Sequence, residues 1–557
     1  MHSVTGNLAD CRDAMNVSGL RSKEGLRRLI EPLLWGVLGL AAALCMGAFR
    51  PLPLSNDSCQ YLSVAANLHS GNGVATDLVY FDAERSHGRI PAPLTTFPPG
   101  YPAAIALISS LFGSLEAAAR FLSAICFAAT ASVLAWLLIA ARIGILARCG
   151  ALLLFVANVI SLDFSTAVLS ESIFTLIFLA AIAALMQAGW SFEPQRGSLR
   201  WLLAGMALAG LSYWVRYAGL FLIAAVLFYE LLRIALLRPR PRASELCSAL
   251  LPIGLAGALM ARNLLLVGTW KGGNELQVDH PLRGVLADFV RAQLHLLLGD
   301  HAMRMGVWEA LLTIGLLGLA AFLARQLTQS RLGLRRQYGF WAFPFICAAV
   351  YCIGLCYAGL HTVISFGTRM FLPVLPLYLL FFALVLHVLN AGANFRGGRL
   401  WLRSALLVFV IGYIGVNLRD LSDPRPRSRQ DELAAVFSER TASGQRLSDW
   451  VNARIAPAAV IAAQDGQQTG YLLHRRTLGL VEAEYSPVRW ECSEILAQMH
   501  RFGARDLILY RHPNRNSHLL DESRFAAAAV TGAPGCGFAV AAETPEVRIL
   551  EIADGSN

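Results

Sequence analysis

The hydrophobic positions of the chain gather into blocks separated by short polar stretches. Eleven apolar runs stand out, near 29–49, 117–141, 146–162, 166–189, 199–214, 217–237, 247–267, 304–325, 339–361, 369–390 and 401–418. Each is close to the roughly 17–25 residues that a helix needs to cross about 30 Å of hydrocarbon. They predict an all-α polytopic membrane domain. The run Tyr101–Phe112 is apolar but short, and reads as a half-buried helix on the outer surface. Residues 419–557 carry no such block. There, helical patterns at Asp431–Arg440, Gly444–Ile455 and Pro487–Arg501 alternate with strand patterns at Ala459–Ala463, Thr477–Val481, Asp506–Tyr510, Phe538–Ala542 and Val547–Ile552. This predicts a small α/β domain. The expected organisation is a polar segment over 1–28, a transmembrane domain over 29–418 with long outer loops at 50–116 and 268–303, and the α/β domain over 419–557.

Composition agrees with a membrane protein. The chain is 56% hydrophobic and 15% charged, against about 45–50% and about 25% in soluble domains. The first block, Leu29–Phe49, lacks a small-residue cleavage site and reads as a retained span. The net charge of +10 is almost all arginine, since the only lysines are Lys23 and Lys271. No arginine run sits on a soluble basic module, so no nucleic-acid partner is expected. The eleven cysteines show no metal spacing. Cys492 and Cys536 lie in the α/β domain and are free to pair if that domain is periplasmic.

Charge fixes the expected topology. With the N-terminus inside, alternate loops carry Arg142 and Arg148; Arg196 and Arg200; Arg238, Arg240 and Arg242; Arg325, Arg331, Arg335 and Arg336; and Arg396, Arg399 and Arg403. Every cluster then faces the cytoplasm, as the positive-inside rule requires. An odd number of crossings puts the C-terminal domain in the periplasm, in a multi-pass protein of the inner membrane.

That topology places a separate set of polar residues at the outer face: Asp57, Arg85, His87 and Arg89 in the first loop, Glu171 one turn into the fourth span, Arg216 between the fifth and sixth, Arg262 and Asn263 near the outer end of the seventh, Lys271 and His280 in the second loop, and His361 and Arg369 flanking the turn between the ninth and tenth. Arg216 and Arg369 could snorkel to the headgroups. Asp57 could be a helix N-cap, because it precedes an apolar-periodic stretch. Glu171 is costlier to explain away, since a carboxylate in a span is normally paired or functional. As a set, arginines and acids at one membrane level suit an anionic lipid headgroup. A guanidinium holds phosphate with a planar fork, and a carboxylate can take a proton from an attacking hydroxyl.

Several motifs carry a family resemblance: Asn56-Asp57-Ser58 with Tyr61, Pro98-Pro99-Gly100-Tyr101-Pro102, Ser170-Glu171, Arg216-Tyr217-Ala218-Gly219, Arg262-Asn263 followed by Gly268-Thr269, and Arg369-Met370-Phe371-Leu372-Pro373. In that order the chain resembles the GT-C glycosyltransferases, the group of the protein O-mannosyltransferases and the lipid A aminoarabinose transferase, over most of 29–390. The resemblance implies a periplasmic active site, a polyprenyl-phosphate-linked sugar as donor, a lipid, glycan or protein as acceptor, and inversion at the anomeric carbon. It implies that Asp57 is the base or orients the acceptor; many relatives carry two adjacent acids where this chain has Asp57-Ser58, which leaves the second carboxylate to Glu171 or to none. Arg216, Arg262 and Arg369 would hold the donor phosphate, and Tyr61, Tyr101, Asn263, Lys271 and His361 would position substrates. It requires no cofactor and no metal, and nothing in the residues supports a divalent cation between Asp57 and Glu171. A transporter or flippase for lipid-linked saccharides would instead place ionisable groups near the bilayer midplane. A lipid-linked polymer ligase would share the arginines but differ in donor.

Overall fold

The computed structural model describes residues 23–80, 83–190, 198–236, 243–272, 279–303, 334–362, 367–392, 396–422, 442–480, 490–511 and 523–553. Residues 1–22 of the expected segment 1–28, the run at 304–325, the helix at Asp431–Arg440 and most of the inner arginine loops lie outside these residues.

Helices dominate the first three quarters of the chain. They are α1 (Lys23–Phe49), α2 (Asn56–His69), α3 (Gly100–Ser109), α4 (Leu115–Ala140), α5 (Ile145–Val156), α6 (Val159–Thr166), α7 (Glu171–Gln187), α8 (Leu199–Val215), α9 (Gly219–Leu236), α10 (Ala243–Ser248), α11 (Leu250–Val267), α12 (Leu282–Met303) and α13 (Leu334–His361). A 3₁₀ turn at Thr368–Val374 leads into α14 (Leu375–Gly392) and α15 (Arg396–Ser422). Among the described residues, five helices are long and apolar enough to cross a membrane, or six if the bent pair α5–α6 is one span. Shorter apolar helices include α3, α7 and α8. The expected crossing at 146–162 is that bent pair, broken by 54°. Asn158 explains the break: it caps α6, its Oδ1 accepting from Ser161 N (2.8 Å), and donates to Leu296 O and the Tyr413 hydroxyl.

Packing is close where side chains are small. Gly36 and Gly39 of α1 face Ala128, Ala131 and Ser132 of α4, letting the two backbones approach. Arg148 of α5 binds Glu31 of α1 at 2.8 Å. Phe127 stacks on Phe155 (5.0 Å between ring centroids), and Phe178 meets Tyr351 edge-on at 5.2 Å. Leu33, Leu34, Val37, Leu250, Leu265 and Ile353 point outward, as side chains facing lipid do.

The C-terminal region forms the expected α/β unit, with helices α16 (Ala442–Arg454), α17 (Gly466–Leu473), α18 (Cys492–Phe502) and α19 (Arg524–Thr531). Short strands β1 (Ala75–Thr76), β2 (Leu78–Val79) and β3 (Ala92–Pro93) come from the first loop. The later strands are β4 (Val460–Ala463), β5 (Arg476–Gly479), β6 (Asp506–Tyr510), β7 (Phe538–Glu543) and β8 (Val547–Ile552). The sheet order is β2-β5-β4-β6-β8-β7, parallel from β2 to β6 and antiparallel beyond. Apolar cores cover both faces, one around Trp490, Met499 and Phe525, the other around Leu447, Val451 and Ile549. Both faces of β4 are covered, which is why its Val-Ile-Ala-Ala sequence is continuously apolar. Cys492 and Cys536 are joined by a disulfide, with Cα atoms 6.3 Å apart.

In space this unit is larger than 419–557. Strand β2 of the first loop adds to its edge, pairing Leu78 with Thr477 and Val79 with Leu478. Asp77 accepts from Arg476 Nε (3.2 Å) and from Asn67 Nδ2 (2.8 Å), and Glu84 pairs with Arg501 at 3.3 Å. Gly479 allows the approach, because a Cβ there would collide with the Tyr80 ring. The first loop therefore links the membrane helices to the sheet.

Candidate active site

The residues with chemistry lie at one set of helix ends. Helix α2 opens the first loop and is capped by Ser55, not by Asp57. Ser55 Oγ accepts from Ser58 N (3.2 Å), while Ser58 Oγ accepts from Ser55 N (3.1 Å), a reciprocal capping box. Asp57 is left in the first turn, where the positive end of the helix dipole suits a carboxylate. Its Oδ2 accepts from Arg369 Nη1 at 2.9 Å.

Glu171 is the first residue of α7, not one turn inside it as the sequence pattern suggested. Ala167 turns extended and ends α6, and Ser170 takes the N-cap position of α7 without a side-chain cap hydrogen bond. Its side chain is 2% exposed. Arg216 Nη1 lies 2.8 Å from Glu171 Oε1, and Arg369 Nε lies 3.9 Å from the same oxygen. Arg216 sits in the extended break between α8 and α9 and also donates to Ser170 Oγ at 3.0 Å. Four charges thus alternate in a chain, Asp57–Arg369–Glu171–Arg216. Together they sum to zero.

Aromatic rings floor this chain. Tyr61 OH is 3.3 Å from Ser170 Oγ, and its ring lies 5.0 Å from both Phe97 and Tyr101. Burial pushes the Tyr61 phenol up from its ordinary range, with Asp57 and Glu171 adding to it against the pull of Arg216. It stays a neutral hydroxyl. Tyr101 is placed by the Pro98-Pro99-Gly100 turn, which runs against the end of α8. A Cβ at Gly100 would meet Trp214 O at 2.5 Å, so the close approach needs glycine.

A second group lies one residue away. Tyr217 OH donates to Thr95 O (2.6 Å) and accepts from Asn263 Nδ2 (3.1 Å), and Arg262 Nη1 donates to Asn263 Oδ1 (3.0 Å). The peptide between Arg216 and Tyr217 joins the two groups. Lys271 and His361 do not come to either: Lys271 Nζ lies over the Trp270 ring at 5.9 Å, and His361 faces Asp279 at 3.1 Å in an exposed position. Among the described residues no group of three or more His, Cys, Asp or Glu side chains could hold a metal ion. Arg369 contacts both Asp57 and Glu171.

In the sequence Asp465, His474 and Glu484 are polar residues of the α/β domain that could line a site but read better as surface residues. His474 is exposed and Glu484 lies outside the described residues, but Asp465 is 2% exposed and its Oδ1 accepts from Asn56 Nδ2 at 2.9 Å. One available signal was position: Gln464-Asp465 follows β4 at the carboxyl edge of parallel strands, where ligand-facing residues collect in α/β sheets. Thr368 was also missed. Its Oγ1 is 2.6 Å from His295 Nδ1 of α12, next to Arg369 in sequence. No sequence signal distinguishes His295.

A family model described as dolichyl-phosphate-mannose-protein mannosyltransferase matches residues 96–261. No curated protein gives a significant match. Among solved structures, the fold aligns with ArnT from Cupriavidus metallidurans bound to undecaprenyl phosphate, at 12% identity and a TM-score of 0.55, covering 94% of this chain and 98% of that one. It also aligns with the oligosaccharyltransferase of Archaeoglobus fulgidus in its apo form, at 12% identity and a TM-score of 0.54, over 91% of this chain and 71% of that one. The AglB oligosaccharyltransferase of that organism, in complex with an inhibitory peptide and a dolichol-phosphate, aligns at 13% identity and a TM-score of 0.51, over 90% and 71%. At such identities the structures speak for the fold alone. Over residues 96–261 the chain is thus similar to that mannosyltransferase family, and its fold is similar to those of ArnT and the oligosaccharyltransferases.

Proposed function

We propose that this protein moves a sugar from a polyprenyl-phosphate carrier to a lipid, glycan or protein acceptor at the periplasmic face of the inner membrane, with inversion at the anomeric carbon. The observation that carries the reading is the chain Asp57–Arg369–Glu171–Arg216 at the helix ends remote from Arg142, Arg148 and Arg200. With the eleven crossings expected from the sequence and the N-terminus in the cytoplasm, those ends lie outside. The solved relatives that hold undecaprenyl phosphate or dolichol-phosphate support the carrier class.

In this mechanism Arg369 and Arg216 grip the donor phosphate, and their charge stabilises it as it leaves the sugar. Arg262, on the adjoining Tyr217–Asn263 network, adds positive charge that the balanced four-residue chain lacks. Asp57 takes the proton of the acceptor hydroxyl as the new glycosidic bond forms. Glu171 holds both guanidinium groups in place. Tyr61 and Tyr101 shape the floor under the sugar, and Asn263 orients Tyr217. Phosphate competes with Asp57 for Arg369, so donor binding releases the base at the moment it is needed. Lys271 and His361 are left to acceptor binding at the loop surface. Ionisable groups gathered at one end of the helices favour this over a transporter, whose sites lie near the midplane.

The test is mass spectrometry of envelope lipids and glycans in a strain without the gene. One sugar-bearing species should vanish and return with the wild-type gene. An unchanged envelope profile refutes the reading.

A further inference from the structure

Asn56, the residue directly before Asp57, is held by a residue of the C-terminal domain. We infer that Asp465 is a positioning residue for Asp57, coupling the docking of that domain to the geometry of the reaction. The inference rests on the proposed role of Asp57 and extends it.

The contact is specific and buried. Asp465 lies in the turn between β4 and α17 and is 2% exposed. Its Oδ1 accepts from the side chain of Asn56, the residue directly before Asp57 and the first of α2. A charge-assisted hydrogen bond of this kind is short and directional. It does not stand alone. Gln467 donates to the side chain of Gln60, one turn along α2, and Gln468 Nε2 reaches Leu54 O at 3.4 Å. Thus α17 grips α2 from just before its cap to the end of its first turn, with Asp57 in the middle of the gripped segment. Gln60, Asp465, Gln467 and Gln468 are all buried polar groups. Burying four such side chains between a membrane domain and a soluble domain costs free energy unless each contact is kept. An apolar seam would dock the two units without that demand, so the polar seam fixes the register of α2 as well as its attachment. Asp57 itself is paired with Arg369. The carboxylate that takes the proton is therefore set between a clamp from the C-terminal domain and an arginine from the membrane domain.

The test uses the full-length protein in membranes of a strain lacking the chromosomal gene. The readout is the rate at which the sugar-bearing species missing from that strain is formed. Asp465→Asn should slow the reaction about tenfold to a hundredfold, the range that small misplacement of a reacting group produces, with normal protein in the membrane. Asn56→Asp combined with Asp465→Asn again faces an amide with a carboxylate, and should recover most of the rate. A wild-type rate for Asp465→Asn, or no recovery in a swapped protein that accumulates and melts normally, overturns the inference. If the swapped protein does not accumulate, Asn56→Ala decides: the double variant Asn56→Ala with Asp465→Asn should be no slower than the slower single variant, and losses that multiply overturn the coupling. Asp57→Asn run in parallel separates the two readings. A wild-type rate there removes the base assignment itself. Loss there beside a normal Asp465→Asn removes only the coupling.

Discussion

Arg369 Nη1 stands 2.9 Å from Asp57 Oδ2, although 312 positions separate the two residues. The same guanidinium serves the acid and, in the proposed mechanism, binds the donor phosphate. This competition has a sign. Arg369→Ala should weaken binding of undecaprenyl phosphate about tenfold to a hundredfold, the worth of a charged hydrogen bond. Asp57→Ala should tighten it, because Arg369 is then free. Equilibrium binding of that lipid to the detergent-purified protein measures both. Transfer by Asp57→Asn should fall about 10²- to 10⁴-fold, the usual contribution of a general base.

Glu171 is buried between two arginines. Removing it takes the carboxylate from Arg216, while Arg369 keeps Asp57, so Glu171→Ala should destabilise the protein by about 3 kcal/mol or more, as broken buried pairs do. Replacing both Glu171 and Arg216 by leucine should restore much of the stability without restoring transfer. Thermal unfolding in detergent beside a transfer assay distinguishes the two effects. A single variant as stable as wild type would remove Glu171 as the organiser of the arginines.

The link between first loop and sheet depends on close backbone contact at Gly479. Gly479→Ala should push Tyr80 away and unseat β2 from β5, at a cost of about 1–3 kcal/mol for overpacking. Proteolysis of the first loop should accelerate in this variant. Gly113→Ala, at a position with open space around it, should leave the cleavage rate unchanged.

Asp506 of β6 is placed opposite Glu551 of β8. Burial, with repulsion from Glu551, raises its carboxyl from 3.8 to about 6, against the pull of Arg505. Between those values the folded chain keeps a proton that the unfolded chain has lost. Stability therefore falls as pH rises through that window, and the penalty is complete above it. Asp506→Asn should raise the melting temperature at pH 7.5 and flatten the dependence between about pH 4 and 6. Melting curves across that range check it, and a variant that melts lower at pH 7.5 contradicts it.

Much of this molecule was legible in its linear order. Apolar block length marked the membrane helices, because a span must cover the hydrocarbon and satisfy its own backbone. Alternation of short strands and helices marked the α/β unit, because each pattern has its own period. The acids and arginines of the site were legible as well: Asp57, Glu171, Arg216 and Arg369 are costly residues at the edge of apolar runs. Their pairing was not. Which carboxylate meets which guanidinium depends on how α2, α7, the α8–α9 break and the 3₁₀ turn converge, and no local pattern carries that. The same holds for Ser55, which took the cap from Asp57 by a two-residue shift that only backbone geometry decides. Lys271 and His361 shared the outer level by sequence, yet the fold turned them to other neighbours. Asp465 is the clearest case. Alone it is one polar residue in a turn, and it gains a role only because β2 of a distant loop joins the sheet and brings α17 down onto Asn56. Sequence fixes periodicity and the cost of burying a charge. Only the tertiary structure decides which buried charges share a neighbourhood, because that depends on contacts between segments hundreds of residues apart.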